Sequence, residues 1–333
     1  MSVETDALRF RAALLSRDAN TLYRLSESYK PVAATLKLAL VAVQAIIDTA
    51  RANGEPISRG WLARQERFAE LLVQVEAELT RFAATATGET TTAQAAAAQS
   101  GTDAARQLTI AGLDTDAERA TVGASWNRLP TGAINELVGV MGDGSTAGEY
   151  LRGIVGETLP ALRDVILRGV ALGKSPRTIA REAEAVTGVT RTRALRIART
   201  ETMRAYRAAT IQTYAENADV VKAWRWLASL SGRTCPACLA MHGRMFPVTE
   251  AFGSHVGCRC VAAPVIENRL AVPFESGEQW LRRQEPETVA RVFDGVSSEA
   301  RARWEAGAVV LADFVNERDD PKWGKVRVTR SAI

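Results

Sequence analysis

The stretches RTCPAC at 233–238 and HVGCRC at 255–260 decide how this chain is interpreted. They hold all four cysteines of a 333-residue sequence and one of its two histidines. Zn²⁺ is usually held in a tetrahedron by four Cys or His side chains that come as two close pairs from two loops. Each stretch offers such a pair, with two residues between the donors, and the connection is long enough for a hairpin. The sequence therefore predicts a metal site.

Five side chains in these stretches are candidate ligands. The favoured ligands are the donors whose spacing matches: Cys235, Cys238, His255 and Cys258. Cys260 is either a reserve ligand or a thiol beside the site, and His242 is the weakest candidate. A structural zinc can contribute about 10–16 kcal/mol to the folding of a small module, which suits a window with few large apolar residues.

Two other interpretations of the thiols stay open at this stage: a disulfide or free buried thiols, and a catalytic zinc. A disulfide would contribute roughly 3 kcal/mol for a loop of this size. It is disfavoured because the chain opens on an acidic stretch rather than a signal peptide, which points to a reducing cytosol. A catalytic zinc would need a water position and a nearby acid or base, and Glu250 is the only carboxylate in the window.

Several ordered motifs around this window resemble the phage Mu F-like head morphogenesis family. The motifs are Ile197-Ala-Arg199-Thr-Glu201, Trp224-Arg-Trp226, Arg233-Thr-Cys235-Pro-Ala-Cys238, Gly243-Arg-Met-Phe246, His255-Val-Gly-Cys258-Arg-Cys260 and the stretch from Phe293 to Val315. The resemblance covers about 169–315. It differs from the family pattern at Ser231, Gly232 and Val256, and His242 stands where the family commonly has an aspartate.

The resemblance implies a minor capsid protein that acts in capsid assembly at the portal vertex. The expected partners are the portal protein and the major capsid or scaffold proteins, with non-specific contact to packaged or ejected DNA as a further expectation. The expected location is the virion, with the host cytoplasm during assembly. No membrane partner, no small-molecule substrate and no enzymatic activity are expected.

Charge is distributed unevenly along the chain. The formal net charge is +4, yet 163–233 holds 14 Lys and Arg against 6 Asp and Glu, so this segment carries +8 and the rest −4. A basic middle segment indicates an anionic partner for that region. The longest apolar stretch, 32–47, is interrupted by Lys37 and Gln44, and we expect it to be too short and too polar to span a membrane.

The first 110 residues are predicted to form a helical arm. Apolar residues recur at helical spacing over about 5–53, where Pro31 can bend or break the helix, and again over about 61–82. The segment 83–105 is rich in Ala, Thr and Gln and is compatible with a poorly packed helix or a linker. Because this arm has no obvious globular core of its own, docking onto a partner is its expected use.

Three further helices are predicted, over 158–172, 175–186 and 190–216, with Gly188 ending the second. The glycine-rich run 139–148 lacks the lysine of a Walker-type loop and is expected to be a flexible loop. A helix-turn-helix is the competing interpretation of 175–216, although the interval between its elements departs from the usual one.

Four arginines of the last of these helices are predicted to share one face: Arg193, Arg196, Arg204 and Arg207. Two interpretations of this face stay open. It is either an ordinary solvated surface or a contact for DNA phosphate or an acidic neighbouring subunit.

The expected fold is α+β and mostly helical. We expect a helical arm at 1–110, an irregular linker at 111–157, a core with the Cys/His window at 158–268, and a helical segment with a loose tail at 269–333. Strands near 221–229, 243–248 and 258–265 are expected to form a small antiparallel sheet fastened by zinc. Two other functional classes remain open: a zinc-dependent hydrolase or nuclease acting on DNA, and a non-specific DNA-binding zinc module.

Overall fold

A computed structural model of the protein describes residues 3–266 and 274–332. The chain is mostly helical with small antiparallel sheets, which confirms the predicted fold class. The helices are α1 (Val3–Ser28), α2 (Lys30–Ala52), α3 (Arg59–Ala63), α4 (Glu66–Gly112), α5 (Asp116–Ser125), α6 (Thr131–Asn135), α7 (Ala147–Ala171), α8 (Pro176–Ala215), α9 (Pro236–Met241), α10 (Gly277–Arg282), α11 (Pro286–Val292) and α12 (Ser298–Glu305). The strands are β1 (Val221–Leu227), β2 (Met245–Pro247), β3 (Val261–Ile266), β4 (Val315–Asp320) and β5 (Gly324–Thr329), and a 3-10 helix covers Leu311–Phe314.

The chain divides into two compact units, each built from separated segments. Unit 1 comprises Met1–Asp18, Ala93–Gly144 and Thr200–Ile333, apart from the residues that are not described. Unit 2 comprises Ala19–Thr92 and Ser145–Arg199. These boundaries fall inside α1, α4 and α8, so the units do not follow the four consecutive segments expected from the sequence.

The start of α1 belongs to the core of unit 1. Val3, Ala7 and Leu14 are buried and pack in one cluster with residues of the sheet, including Leu227 and Val261. These residues of the N-terminal helix therefore form no separate core and are buried in one that the helix shares with the sheet. Their apolar stripe is covered by strands that lie more than 200 positions later in the sequence.

The Ala-rich segment 83–105 is well packed and belongs to the single helix α4. Ala97, Ala98, Ala104 and Ala105 are buried, at 1% exposure or less. A Cβ on Gly101 would lie 2.4 Å from the Tyr206 carbonyl oxygen. The small side chains of this segment therefore allow α4 and α8 to approach closely within unit 1, and they do not form a linker.

The helix α8 runs without interruption through Gly188. Glycine inside a helix costs about 1 kcal/mol relative to alanine. Packing offsets this cost, because Thr187 and Thr190 are buried on either side of it and the Thr190 hydroxyl lies 2.6 Å from the Thr158 hydroxyl. The predicted break at Gly188 is wrong, and without a turn there is no helix-turn-helix over this segment.

The helix α7 begins at Ala147, well before the predicted start at 158. The Thr146 side chain accepts a hydrogen bond from the Glu149 backbone N–H, and the Glu149 side chain accepts one from the Thr146 backbone N–H. This reciprocal capping satisfies two backbone donors that a helix start otherwise leaves unpaired. Because α7 starts at Ala147, the irregular segment is shorter than the linker expected at 111–157.

The three-stranded sheet has the order β2-β1-β3 and is antiparallel, as the sequence predicts. Trp224 and Trp226 on β1 are both fully buried on the same face of the strand. The ring centroid of Phe252 lies 3.9 Å from that of Trp226 and 5.0 Å from that of Trp224. This aromatic stack forms the centre of the core beside the Cys/His window.

The expected loose tail from 319 onward is instead part of a hairpin of β4 and β5. Arg327 on β5 is buried, and its guanidinium forms ion pairs with Glu250 at 2.6 Å and Glu317 at 3.0 Å. The Arg327 backbone N–H also donates to the Gly253 carbonyl at 3.1 Å. The hairpin is therefore fixed to the loop that precedes the second ligand pair.

The helical run Val3–Ala52 contains an 18-residue window with a mean hydropathy of 1.6, of which 28% is buried. By length and composition alone this window is apolar enough to cross a membrane, contrary to the sequence expectation. A core helix of a soluble protein passes the same test. The expected absence of a membrane partner stays a prediction.

The packing of α1 leads to a test by mutation. Leu14→Ala removes a side chain that is 1% exposed, and we expect it to lower the free energy of unfolding by about 2–5 kcal/mol. Leu172→Ala is the matched control, because Leu172 is 67% exposed and its truncation should change stability by less than about 0.5 kcal/mol. Chemical denaturation of the full chain measures both, and equal effects would contradict the packing of α1 described here.

Candidate metal centre

The first ligand pair is positioned by the start of α9. Cys235 is the N-cap of this helix, Pro236 occupies its first position, and Cys238 lies in its first turn. The Leu239 backbone N–H donates to the Cys235 carbonyl at 3.1 Å and closes that turn. Proline suits this position because its missing N–H and fixed φ match the first turn of a helix. Cys235 and Cys238 consequently present their thiols to the same place.

The second pair is positioned by a tight turn. The Cys258 backbone N–H donates to the His255 carbonyl at 3.2 Å, and Gly257 within the turn has a φ of +74°. A left-handed residue is needed there, and glycine adopts this conformation without a steric cost. The Gly257 backbone N–H donates to the Thr200 hydroxyl at 3.1 Å, so α8 holds the turn from the other side.

Three of the distances between the donor atoms are close to those of a tetrahedral metal site. His255 Nε2 lies 3.3 Å from Cys235 Sγ and 3.1 Å from Cys238 Sγ, and Cys238 Sγ lies 3.7 Å from Cys258 Sγ. Bond lengths of about 2.3 Å for Zn–S and about 2.0 Å for Zn–N separate neighbouring ligands by roughly 3.5–3.8 Å. Cys238 therefore lies between the two predicted pairs, and the four favoured donor atoms fall into two groups of close neighbours rather than one.

Cys260 belongs to the same cluster but lies to one side of it. Donor atoms within 4.8 Å of one another form two groups, Cys235, Cys238 and His255 on the one hand and Cys238, Cys258 and Cys260 on the other. The Cys260 backbone N–H points at Cys258 Sγ, at 3.5 Å. Cys258 and Cys260 share the second group, and which of them is the fourth ligand stays a prediction.

The imidazole of His255 is oriented for ligation through Nε2. Its Nδ1 lies 2.9 Å from the Val256 carbonyl oxygen, so the Nδ1–H donates there and Nε2 faces the thiols. Such a backbone partner behind a ligating histidine fixes both the tautomer and the ring orientation.

The protonation of each side chain in the cluster depends on that of its neighbours. Burial lowers the pKa of His255, but the hydrogen bonds and charges of Cys235 and Cys258 outweigh burial and raise that pKa to about 11. A hydrogen bond from Cys238 holds the pKa of Cys235 well below its ordinary value. A metal ion binds thiolates and neutral imidazole, so it would replace the protons that this cluster shares.

Arg207 is the principal support of the second pair. Its guanidinium donates to the carbonyl oxygens of Cys258 at 2.6 Å and Cys260 at 2.8 Å, and to the Ser254 hydroxyl at 2.7 Å. It also lies over the ring of Phe252, 4.8 Å from the centroid. Arg207 is 4% exposed, so it orders the loop that carries the ligands and does not face solvent.

The predicted arginine face is therefore not a continuous surface. Arg196 is exposed, and Arg193 is half-buried with an ion pair to Glu157 at 2.5 Å. Arg204 donates to Glu201 and to the Val140 carbonyl, and Arg207 is buried. Helical periodicity placed these residues together, but the loop 254–260 and the segment around Val140 pack over one end of the face.

Other arginines on α8 face solvent and were not singled out from the sequence. Arg177, Arg181 and Arg191 are exposed and form no ion pair with any residue in the described ranges. Their spacing of four and ten residues places them on one side of the helix. Arg177 and Arg181 lie at the start of the predicted helix over 175–186, and their spacing of four residues is the signal that could have identified them.

The remaining histidine of the window, its one carboxylate and the nearby Glu201 have structural roles. His242 is 6% exposed and its Nδ1 accepts a hydrogen bond from the Ala228 backbone N–H at 2.9 Å. Burial, with a contribution from Arg225, lowers the pKa of His242 to about 4, so it is neutral at pH 7. Glu250 is paired with Arg327, and the fully buried Glu201 accepts a hydrogen bond from the Trp323 indole N–H at 2.8 Å.

A cavity of about 800 Å³ lies beside the cluster, between α8, the loop 248–254 and the turn of the hairpin. Its charged lining residues are all engaged within unit 1: Arg204 with Glu201, Arg207 with backbone carbonyls, Glu250 with Arg327, and Lys325 with Glu317. These contacts support the fold around the cavity and leave its walls mostly apolar.

Arg207→Lys tests the supporting role of the guanidinium. Lysine keeps the charge but cannot donate to two carbonyls and a hydroxyl at once. We expect a loss of about 2–4 kcal/mol in the free energy of unfolding and a fall of about 10- to 100-fold in metal affinity. Denaturation and competition with a chelator measure the two effects. Arg196→Lys, at an exposed position of the same helix, is the control, and equal behaviour of the two variants would refute the role of Arg207.

Comparison with known proteins supports the resemblance found in the motifs. Residues 161–263 match the model of the family described as phage Mu protein F like protein. No match was found among curated proteins or among solved structures. The matched segment contains the second part of α7, all of α8, the three-stranded sheet up to Ala263, and every candidate ligand. This chain thus carries a phage Mu F-like region, in agreement with the family that its motifs indicate.

Proposed function

We propose that this chain is a minor capsid protein that acts in phage head morphogenesis at the portal vertex, with a structural zinc in its Mu F-like region. The single observation that carries the proposal is the Cys/His cluster itself. It joins α9, the turn at Gly257 and the start of β3 inside the segment that matches the phage family.

The chemistry of the donor set favours a structural zinc. Three thiols and one imidazole are a common set for structural zinc, whereas a catalytic zinc keeps one position for water. Cys238 and Cys258 are each 3% exposed, which leaves little room for a substrate at the cluster. Glu250 is held by Arg327 and is not free to act as a general base. These features support an assembly protein over a zinc-dependent hydrolase.

The surface of α8 supports an anionic partner. Arg177, Arg181, Arg191 and Arg196 are exposed along it. Such a surface suits the phosphates of packaged DNA without reading of bases, and equally an acidic patch on a neighbouring capsid or portal subunit. The chain would reach this place in the virion after assembly in the host cytoplasm.

The metal content tests the first part of the proposal. The purified chain should contain about one zinc per molecule, and Cys258→Ser should lose it and destabilise unit 1, because a ligand thiolate is then missing and metal binding contributes to the folding free energy. Cys260→Ser is the matched control, since it replaces a neighbouring thiol of equal burial, and it should retain zinc. Metal analysis by mass spectrometry decides the matter. A metal-free wild type with four freely reactive thiols would sink the proposed zinc site.

The location of the chain tests the second part. Mass spectrometry of purified proheads and mature virions should find this chain in low copy number, and co-sedimentation should recover it with the portal protein. Cys260→Ser should be incorporated like the wild type, and Cys258→Ser should be excluded because its fold is impaired. Absence from proheads, together with zinc-dependent cleavage of DNA by the purified chain, would replace the assembly role by that of a nuclease.

A further inference from the structure

The helix that carries the first ligand pair, α9, is capped by a residue from the far end of the chain. At the start of a helix the N-cap side chain ordinarily accepts a hydrogen bond from a backbone N–H of the first turn. Cys235, the N-cap of α9, forms no such bond. The backbone N–H of Ala237 instead donates to the hydroxyl of Thr329, at 3.2 Å. Thr329 is the last residue of β5 and follows Ala237 by 92 positions.

Other helices of this chain show the ordinary arrangement. At the N-caps of α5, α7 and α10 the side chain accepts from the backbone N–H three residues later, and these caps are Thr115, Thr146 and Ser276. At α9 the N-cap side chain is a candidate ligand, and its sulfur lies 3.3 Å from His255 Nε2. Because that sulfur is turned towards the other donors, the start of α9 needs an acceptor from elsewhere.

The Thr329 hydroxyl contacts the candidate ligand as well as the helix. It hydrogen-bonds to the side chain of Cys235. A hydroxyl has one proton to donate and two lone pairs that accept. Since its oxygen accepts from the Ala237 N–H, its proton is available for the Cys235 sulfur. The hydroxyl therefore lies between a backbone donor and a candidate ligand, and it fixes the position of one relative to the other.

The strand β5 also contacts the loop that leads to the second ligand pair. Arg327 and Thr329 are two positions apart, so their side chains lie on the same side of the strand. The Arg327 guanidinium pairs with Glu250, and its backbone N–H donates to the Gly253 carbonyl, two residues before His255. One strand thus contacts both stretches that carry the candidate ligands. This strand lies outside the segment 161–263 that matches the family.

We propose that Thr329 is a positioning residue of the metal site: it caps α9 in place of Cys235 and thereby leaves the Cys235 thiolate free to bind the metal. The proposal rests on the structural zinc of the proposed function. If the bond from Thr329 strengthens metal binding, metal binding strengthens the attachment of β5 by the same factor. The hairpin of β4 and β5 is then held in place by the metal as well as by its own contacts.

A pair of substitutions separates the hydroxyl from the bulk of the side chain. Thr329→Val removes the hydroxyl and keeps the branched shape that suits a strand, and Thr329→Ser keeps the hydroxyl. Competition with a chelator measures the zinc affinity of the full chain. The affinity should fall by about tenfold or more in Thr329→Val and stay within about threefold of the wild type in Thr329→Ser, because a residue that orients a ligand acts through its hydrogen bond.

Cobalt in the place of zinc reports on the Cys235 sulfur itself. Thiolate-bound Co²⁺ has an absorption band in which charge moves from sulfur to the metal. A hydrogen bond to the sulfur lowers the energy of its electrons, so loss of the bond should move the band to longer wavelength in Thr329→Val. Thr329→Ser should keep the band of the wild type. A contribution of Thr329 to packing alone would leave the band in place.

Val326→Ala is the matched control, because it truncates a side chain of the same strand that is 2% exposed and cannot form a hydrogen bond. It should lower the thermal midpoint of unfolding but change the zinc affinity by less than about threefold. Equal losses of affinity in Val326→Ala and Thr329→Val would overturn the proposal, since the stability of the hairpin would then be the cause. An unchanged affinity and an unchanged cobalt band in Thr329→Val would also overturn it.

A wild type that binds neither zinc nor cobalt would defeat the structural zinc of the proposed function and, with it, the positioning of a ligand. The cap of α9 would still be decided in the metal-free chain by hydrogen exchange of the Ala237 amide. This amide should exchange at least about tenfold faster in Thr329→Val than in Thr329→Ser, because a hydrogen bond that protects it is lost. Equal exchange in the two variants would overturn the cap as well.

Discussion

The guanidinium of Arg207 is the contact on which the candidate metal centre depends. A buried charge without compensation is costly, so it persists only where its donors are satisfied. Here two backbone carbonyls and one hydroxyl satisfy them, and the carbonyls belong to Cys258 and Cys260. Arg207 can therefore be buried without a large penalty only when the loop 254–260 adopts the conformation that offers these acceptors. Thr200, two helical turns earlier on α8, adds a second contact to the same loop through Gly257.

A second buried arginine holds the loops on the other side of the aromatic core in a similar way. Arg327 occupies an equivalent position on the other side of the aromatic core, with Glu250 and Glu317 as its partners and the ring of Phe246 beneath it at 4.9 Å. Between the two guanidinium groups lie Trp224, Trp226 and Phe252 in a stack. Buried cations thus hold the loops on either side of a small sheet that is too narrow to provide a large core of its own. This explains why a metal is a suitable further constraint here.

Local chemistry in the sequence was enough to locate the ligand cluster and the sheet. The spacing of Cys235, Cys238, His255 and Cys258 is a property of short turns, and Trp224 with Trp226 shows the period of a strand. Helix ends were less predictable where packing outweighs intrinsic propensity. Gly188 costs little inside α8 because its neighbours are buried, and the Ala-rich part of α4 is helical because Gly101 allows a close approach to Tyr206. The burial of Arg207 could not be read from helical periodicity, because the loop that covers it lies about 50 residues later.

Because each unit is built from separated segments, the two units are completed at different times during synthesis. All of unit 2 has been made once Arg199 is complete, whereas unit 1 needs β1, the ligand loop and the final hairpin. At about 5–20 residues per second, roughly ten seconds separate these two points. Until β1 and β3 have been made, about halfway through that interval, Val3, Ala7 and Leu14 have no strands to cover them. The nascent chain is then most exposed to aggregation and to chaperones.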